Sequence, residues 1–161
     1  MTGVLDANAV IGLVKGRVFP LLAQLYTGLF IPPAVVREII GPGQRAGAAE
    51  LQAALGDWIT EVTPDPQAVQ SFASALRSEA DREVLALAQI QAVDHVLSSD
   101  FRMIQVGSRA GLTCLQAPEV VLLMKRRGLI PAVQPVLNQM RGQGFGIGDR
   151  IYQQTLQAAG E

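Results

Sequence analysis

Four acidic residues occupy positions at which a folded chain could bring them together: Asp6, Glu38, Asp81 and Asp100. Carboxylates held close to one another repel, so a cluster of them either retains some of its protons or binds a divalent cation. Mg²⁺ and Mn²⁺ take oxygen ligands and can contact substrate phosphate oxygens at the same time, which favours phosphoryl chemistry over peptide hydrolysis. A water beside such an ion can act as the nucleophile while the ion stabilises charge on the phosphate.

Each of these acids also has a simpler explanation when it is taken alone. Asp6 follows a presumed buried strand, where an unpaired Asp is rare, so it is the hardest of the four to explain as a surface residue. Glu38 lies in a helix and could face solvent. Asp81 and Asp100 could each do no more than cap the start of a helix. The functional interpretation therefore depends on the four acids in combination.

The elements that would position the acids alternate between strand and helix. Strands are predicted at Val4–Leu5, Leu29–Ile31, Trp58–Val62, Val96–Leu97 and Leu112–Leu115. Helices are predicted at 9–14, 18–26, 33–40, 46–55, 66–76, 81–92, 101–110, 118–127, 131–141 and 148–158. This alternation favours an α/β fold with an open parallel sheet covered on both faces. Ligands bind such sheets beyond the carboxyl ends of the strands, so Asp6 and Asp100 would meet if the first and fourth strands were neighbours.

Length and composition predict one domain. A chain of 161 residues is of ordinary domain size, and its 16 Gly and 9 Pro are spread without a linker or a repeat. Thirteen Lys and Arg against 14 Asp and Glu give a formal charge of -1, so any nucleic-acid contact must be local. Only 17% of the residues are charged and the mean hydropathy is +0.27, as expected for elements buried on more than one face.

The sequence lacks the features that are typical of several other classes of protein. The single Cys114 cannot form an internal disulfide and there is no Cys and His cluster for zinc, so a reducing cytoplasm is expected. Neither a basic-then-apolar leader nor an apolar stretch of the ~18 residues a transmembrane helix needs is present, so we expect no secretion and no membrane association. The glycine-rich, P-loop and serine-hydrolase motifs are absent. The lone His95 is expected to be structural.

Basic residues near two of the acids could contact a phosphate backbone. Lys15 and Arg17 come soon after Asp6, and Arg102 comes directly after the segment that holds Asp100. Positively charged side chains at such positions hold phosphates without reading sequence. We therefore predict Lys15, Arg17 and Arg102 as substrate-phosphate contacts.

Four segments, in this order, resemble the PIN-domain ribonucleases: VLDANAVIGLVK, FIPPAVVREI, SEADREVLALA and VLSSDFRMI. The C-terminal pattern KRRGLIPAVQPVLNQMRGQGFGIGDRIYQQTL is similar to that of a VapC-like branch of bacterial and archaeal PIN proteins. The resemblance covers essentially the whole chain. It implies a single domain over 1–161, a three-layer α/β/α sandwich with a parallel sheet of about five strands, and a C-terminal helical extension over about 118–161. Many such relatives are toxins of toxin–antitoxin pairs.

The resemblance also implies roles for particular residues. Asp6 in LDANA matches the first PIN acid, Glu38 the second, Asp81 the third, where this branch commonly has Glu, and Asp100 the fourth. It implies a Mg²⁺- or Mn²⁺-dependent endoribonuclease in which Asp6, Asp81 and Asp100 hold the metal. Glu38 would orient the ion or the attacking water.

Three further positions are expected to support this site. Asn8 occupies a small polar position two residues after Asp6, and Glu83 matches a second acid that the branch carries in this helix. Ser99 departs from the pattern, because many members of the branch carry another Asp there. Ser99 could still hydrogen-bond a metal-bound water. Glu79, four residues before Glu83, could flank the site or face solvent.

Two other functions remain open. A non-catalytic PIN-like domain that binds nucleic acid or protein fits the departure at Ser99 and the weak net charge. A haloacid-dehalogenase-like phosphatase also has an Asp after its first strand, but its chemistry requires a second Asp where this chain has Asn8.

Expected partners are an RNA substrate, a small antitoxin and a second copy of the chain. Apolar faces at Val120–Met124 and Ile130–Met140 could serve the antitoxin or a homodimer, or could be ordinary core. An antitoxin would bind at the acidic edge or in a neighbouring groove, and would block access of RNA.

Overall fold

A five-stranded, entirely parallel sheet lies at the centre of the fold, in a computed structural model that describes all 161 residues. Its strands are β1 (Thr2–Leu5), β2 (Gly28–Ile31), β3 (Ile59–Glu61), β4 (His95–Leu97) and β5 (Cys114–Leu115). Their order is β3-β2-β1-β4-β5, so β1 is central and β4 is its neighbour. The structure therefore confirms the predicted α/β fold and the five-stranded parallel sheet.

Ten helices connect the strands and complete the chain. They are α1 (Ala7–Lys15), α2 (Leu22–Leu25), α3 (Pro33–Ile40), α4 (Ala48–Ala54), α5 (Pro66–Gln70), α6 (Glu79–Ile90), α7 (Phe101–Arg109), α8 (Ala117–Arg126), α9 (Gln134–Gly142) and α10 (Asp149–Ala158). Every crossover between successive strands contains at least one helix, as parallel strands require. No helix is both long enough and apolar enough to cross a membrane.

Two predicted helices are much shorter in the structure. The segment 18–26 begins with a 3₁₀ turn at Phe19–Leu21, with Pro20 in its first turn, and only α2 is α-helical. The helix predicted over 66–76 ends at Gln70. The hydroxyl of Ser71 donates to the carbonyl of Ala68, and a series of turns follows. Local side-chain bonding of this kind competes with continuation of a helix.

Two other element boundaries also differ from the prediction. The predicted strand 112–115 contains only Cys114 and Leu115, because the N–H of Leu112 is used by the carbonyl of Gly107 at the end of α7. The helix predicted from 131 begins at Gln134, with a proline in its first turn. A proline is favoured there because its missing N–H would have no helical partner.

One hydrophobic core of 43 buried residues extends from β1 to α10. Val120, Met124, Leu137 and Met140 are fully buried in it, so these side chains of the two apolar faces are not available to a partner. The C-terminal helices also support α1. A Cβ at Gly12 would lie 2.6 Å from the ring of Phe145, so only glycine lets this ring pack so closely against α1.

The side chain of Glu161 joins three parts of the C-terminal region. Its carboxylate accepts hydrogen bonds from the Lys125 ammonium at 2.8 Å, from the Gln134 N–H at 3.0 Å and from the Val133 N–H at 2.8 Å. The two N–H groups lie at the start of α9, where a negative charge is favourable. These bonds, the one from Lys125 above all, lower the pKa of Glu161 to about 2.

We predict that Glu161→Gln lowers the melting temperature at pH 7, because it removes the charge that these donors stabilise. The folded-state pKa lies below the ordinary value of 4.5, so the stabilisation is complete above about pH 4.5 and is lost as the pH falls towards 2. Melting temperatures of wild type and Glu161→Gln should therefore converge in acid. The exposed Asp57→Asn variant is the control. A difference in melting temperature that is independent of pH would contradict this account.

Candidate active site

The pairing of β1 with β4 places two of the predicted acids at one edge of the sheet. The strands run in parallel with Leu5 opposite Leu97. The N–H of Asp6 continues this pairing by donating to the carbonyl of Leu97 at 3.2 Å. Asp6 follows β1, and Asp100 begins the helix after β4. The ends of β1 and β4 thus lie side by side, as predicted.

A pocket of about 150 Å³ lies at this edge. All four predicted acids line it, and they come from the end of β1, from α3, from α6 and from the start of α7. Its lining residues are Asp6, Ala7, Asn8, Ile11, Val35, Glu38, Arg45, Asp81 and Asp100. Four carboxylates that are up to 94 positions apart in the sequence therefore share one cavity.

Asp6 is the most buried of these acids, with 4% of its surface exposed. It is the N-cap of α1, and its Oδ1 accepts a hydrogen bond from the Ala9 N–H at 2.7 Å. Burial is the main reason that the pKa of Asp6 rises to about 7, and repulsion by Asp81 and Asp100 adds to this. Hydrogen bonds from the Ser98 hydroxyl and the Ala9 N–H oppose the rise. The Asp6 carboxyl group thus has a pKa near neutral pH, and a nearby cation would lower that pKa and favour the ionised form.

Asp81 and Asp100 complete the acidic side of the pocket from the starts of α6 and α7. The Asp81 N–H donates to the Ser78 hydroxyl, and burial, followed by repulsion from Asp100 and Glu38, raises the pKa of Asp81 to about 6. Oδ1 of Asp100 accepts from the N–H of Met103 at 3.0 Å. Asp100 therefore caps α7 with its side chain, whereas the cap of α6 is Ser78, and both carboxylates lie at the pocket.

Glu83 and Ser99 lie close to the site in sequence but do not line the pocket. Glu83 is buried, and its Oε2 accepts from the Ala34 N–H at 2.9 Å, at the start of α3. Pro32, the N-cap of α3, has no side chain that could supply this acceptor. The Ser99 hydroxyl accepts from the Ala117 N–H at 3.1 Å, at the start of α8. Both residues therefore fix helices that surround the site.

The other flanking residues divide between the site and the surface. Asn8 lines the acidic pocket. Glu79 is well exposed, 3.8 Å from Arg37. Lys15 and Arg17 line a separate pocket of about 280 Å³ beside α4 and α9. Arg102 lines a third pocket, which shares Asp81 and Asp100 with the acidic one.

Two residues that the sequence did not single out complete the site. Ser98 is fully buried, and its hydroxyl bonds to Asp6 while its oxygen accepts from the Asp100 N–H at 3.2 Å. Arg45 brings the only cationic side chain to the acidic pocket. Ser98 could have been identified from the sequence as a polar residue at the end of a buried strand. The loop GPGQRAG carries no periodic pattern that would have pointed to Arg45.

The donor set fits a hydrated divalent cation. No three of the His, Cys, Asp and Glu side chains are grouped closely enough to hold one ion together. Mg²⁺ commonly keeps several waters and uses only one or two protein carboxylates directly, so a tight cluster of three is not required. The pocket has room for an ion with several waters, and every acidic side chain that lines it offers hard oxygen donors.

Comparison with known families agrees with the fold. The family model DUF3368: PIN domain matches residues 2–161, so the chain belongs to this family of PIN domains. PIN domains are generally nucleases, which makes nuclease-type hydrolysis the class of activity that this fold carries. None of the curated proteins matches the chain.

We predict that Asp6→Asn raises the melting temperature of the metal-free protein at pH 8. Asn keeps the acceptor for the Ala9 N–H, and it removes a buried charge whose pKa is raised to about 7. The folded-state pKa exceeds the unfolded value, so the penalty grows as the pH rises from about 4 to 7 and is absent in acid. The gain should therefore shrink at pH 5.

The same pair of proteins tests cation binding by thermal shift. Mn²⁺ should stabilise wild type at pH 8, because a ligand that binds only the folded state raises its melting temperature. Asp6→Asn should lose most of this shift. An equal Mn²⁺ shift in both proteins would contradict the placement of the cation site at Asp6.

Proposed function

We propose that this protein is a metal-dependent endoribonuclease that hydrolyses RNA phosphodiester bonds. The observation that carries the proposal is the convergence of Asp6, Glu38, Asp81 and Asp100 on one pocket, with the pKa of two of them raised by burial and mutual repulsion. Such raised pKa values are typical of carboxylates that are arranged for a cation or for proton transfer. The RNA substrate is supported by the resemblance of four ordered sequence segments to PIN ribonucleases.

The chain's own residues suggest a division of tasks. Asp6, Asp81 and Asp100 would hold Mg²⁺ or Mn²⁺, which supplies charge neutralisation of the phosphate and a more acidic attacking water. Glu38, which is exposed as Asp100 is, would accept a proton from that water or orient it. Ser98 and the Ala9 N–H hold the Asp6 carboxylate in one orientation.

Positive charge near the pocket would position the RNA backbone. Arg45 lines the acidic pocket, and the next residues of its loop, Ala46 and Gly47, line the pocket that also contains Lys15 and Arg17. A backbone that leaves the acidic pocket over this loop would reach these two cations. We propose this route for the strand, and contacts of this kind would be independent of base sequence.

We predict that Asp81→Asn abolishes RNA cleavage while the protein remains folded. Loss of a group that stabilises transition-state charge typically costs roughly a hundred-fold or more in rate. Glu79→Gln is a matched control, because it removes one negative charge two residues earlier in the same helix, on an exposed side chain. Cleavage of labelled RNA with Mg²⁺ or Mn²⁺ measures both variants. Full metal-dependent activity in Asp81→Asn would refute the assignment.

The alternative is a non-catalytic PIN-like domain that binds nucleic acid or protein. The same assay separates the two functions. RNA binding by the wild type without cleavage, under every divalent metal tried, would favour the non-catalytic domain.

We further propose that the protein acts in the cytoplasm as the toxin of a toxin–antitoxin pair. The support is the similarity of its sequence to VapC-like relatives, many of which are toxins. Its partner would be a small antitoxin protein that covers the acidic edge, and a second copy of the chain is another candidate partner.

We predict that expression of the wild type arrests bacterial growth and that Asp6→Asn does not, at equal protein levels. The reason is that arrest by a ribonuclease toxin needs the metal-binding carboxylate. Growth curves with immunoblots measure this. Equal arrest by both forms would contradict a toxin that acts through this site, and growth without arrest in both would contradict the toxin role.

A further inference from the structure

Phe101 is the most exposed large apolar side chain of the protein, with 78% of its surface accessible to solvent. It is the first residue of α7, directly after Asp100 of the acidic pocket. Phe19, Phe72 and Phe145, by contrast, are buried in the core. The position therefore exposes an aromatic ring to water beside the proposed reaction centre.

The neighbours of Phe101 in the sequence, Asp100 and Arg102, are charged. The second exposed large hydrophobic side chain, Ile90, ends α6 ahead of β4, whereas Phe101 follows that strand. Phe101 is thus an isolated ring and does not belong to an apolar patch of the kind that protein interfaces use. It also stacks on no other aromatic ring of the chain.

A pocket of about 530 Å³ lies beside the acidic pocket and shares Asp81 and Asp100 with it. The residues on both sides of Phe101 in the sequence, Asp100 and Arg102, line it. Phe101 itself does not line this pocket, and its backbone lies beside the pocket between two lining residues. The volume of the pocket is within the range of pockets that hold small organic ligands.

Two arginines at this pocket have donors to spare. Arg102 uses Nε on the Ala75 carbonyl at 3.2 Å and Nη1 on Gln105 at 3.4 Å, which leaves Nη2 without a partner in the chain. Arg77 lines the pocket and forms neither a hydrogen bond nor an ion pair. The pocket thus offers unused cationic donors next to the exposed Phe101.

The wall that carries Arg77 is itself held in place. Arg82 donates through Nε to the Leu76 carbonyl at 2.6 Å and through Nη2 to the Ala73 carbonyl at 3.2 Å. Together with the bond from Arg102 to Ala75, these contacts tie the segment 73–76 to α6 and α7. A preformed wall lowers the entropy lost when a flexible strand binds.

We infer that Phe101 and this pocket form a nucleotide subsite for single-stranded RNA next to the cleaved bond. Phe101 stacks on one base, and Arg102 and Arg77 hold an adjacent phosphate. Exposed aromatic faces beside cationic grooves bind single strands in this way, whereas the bases of a duplex remain stacked on one another. The inference rests on the proposed nuclease function, and it assigns the residues that receive one base and one phosphate beside the cleaved bond.

Fluorescence anisotropy with a short labelled single-stranded RNA tests the subsite, in EDTA so that cleavage does not interfere. Phe101→Ala should weaken binding roughly five-fold or more, the usual effect of losing one stacked base. Removing the stacked base should remove this difference, so one RNA of a series made abasic at successive positions should bind wild type and Phe101→Ala equally. Phe101→Trp should restore affinity for the normal RNA. Ile90→Ala is the control and should leave affinity unchanged.

Arg102→Gln provides an independent measurement. It should weaken normal and abasic RNA alike, and reduce the dependence of binding on salt by about one phosphate contact. If Arg102→Gln weakens the binding of normal RNA but not of abasic RNA, and the salt dependence of binding does not change, Arg102 does not contact a phosphate.

The outcomes separate this inference from the proposed function. Equal affinity of wild type and Phe101→Ala for single-stranded RNA, with metal-dependent cleavage intact, overturns the subsite and leaves the nuclease standing. A wild type that neither binds nor cleaves RNA overturns both. If Phe101→Ala changes the sedimentation of the protein but not its RNA affinity, Phe101 belongs to a protein interface and the subsite is wrong.

Discussion

The site depends on the burial of one carboxylate, that of Asp6, at the end of the central strand. Taking this group out of water raises its pKa, and two hydrogen bonds oppose the rise without cancelling it. The pairing of β1 with β4 then fixes where the second half of the site begins, because Ser98 and Asp100 follow the strand beside it. The surroundings of Asp6 only partly stabilise its buried charge. A cation that binds beside this carboxylate would therefore stabilise the folded protein.

Helix capping and the proposed chemistry use the same side chains. Asp6 and Asp100 each cap a helix through one oxygen, and the bonds that satisfy the helix ends also fix the carboxylates. Glu83 extends this arrangement, because it caps the helix that carries Glu38 from a different helix. The site is thus built on the ends of rigid elements, which is how reactive groups are held with little freedom to move.

The sequence predicted the parts of the site that depend on local patterns. Asp6 and Asp100 stood at strand ends, and alternating strands and helices predicted a parallel sheet whose strand ends meet at one edge. Residues whose roles depend on contacts distant in sequence could not be predicted in the same way. Glu83 bonds a residue 49 positions away, and the Ser99 hydroxyl accepts from the N–H of Ala117, 18 positions away.

Some predicted boundaries of helices and strands were wrong for a related reason. The N–H of Leu112 closes the end of α7 and so cannot join the sheet, and no propensity of the residues themselves reports that choice. Arg45 reaches the acidic pocket from a loop that has no repeating pattern. Tertiary contacts, rather than the preferences of single residues, decided these positions.

The central claim of the proposed function is that the pocket lined by Asp6, Asp81 and Asp100 binds one hydrated divalent cation, which one or two of these carboxylates contact directly and the others contact through water. Crystals soaked in Mn²⁺ test it directly, because anomalous scattering locates that ion independently of any assay. The account predicts a peak in the acidic pocket, bounded by these carboxylates and within reach of Glu38. An empty pocket at saturating Mn²⁺, with the acids apart or paired with arginine or lysine, would contradict it.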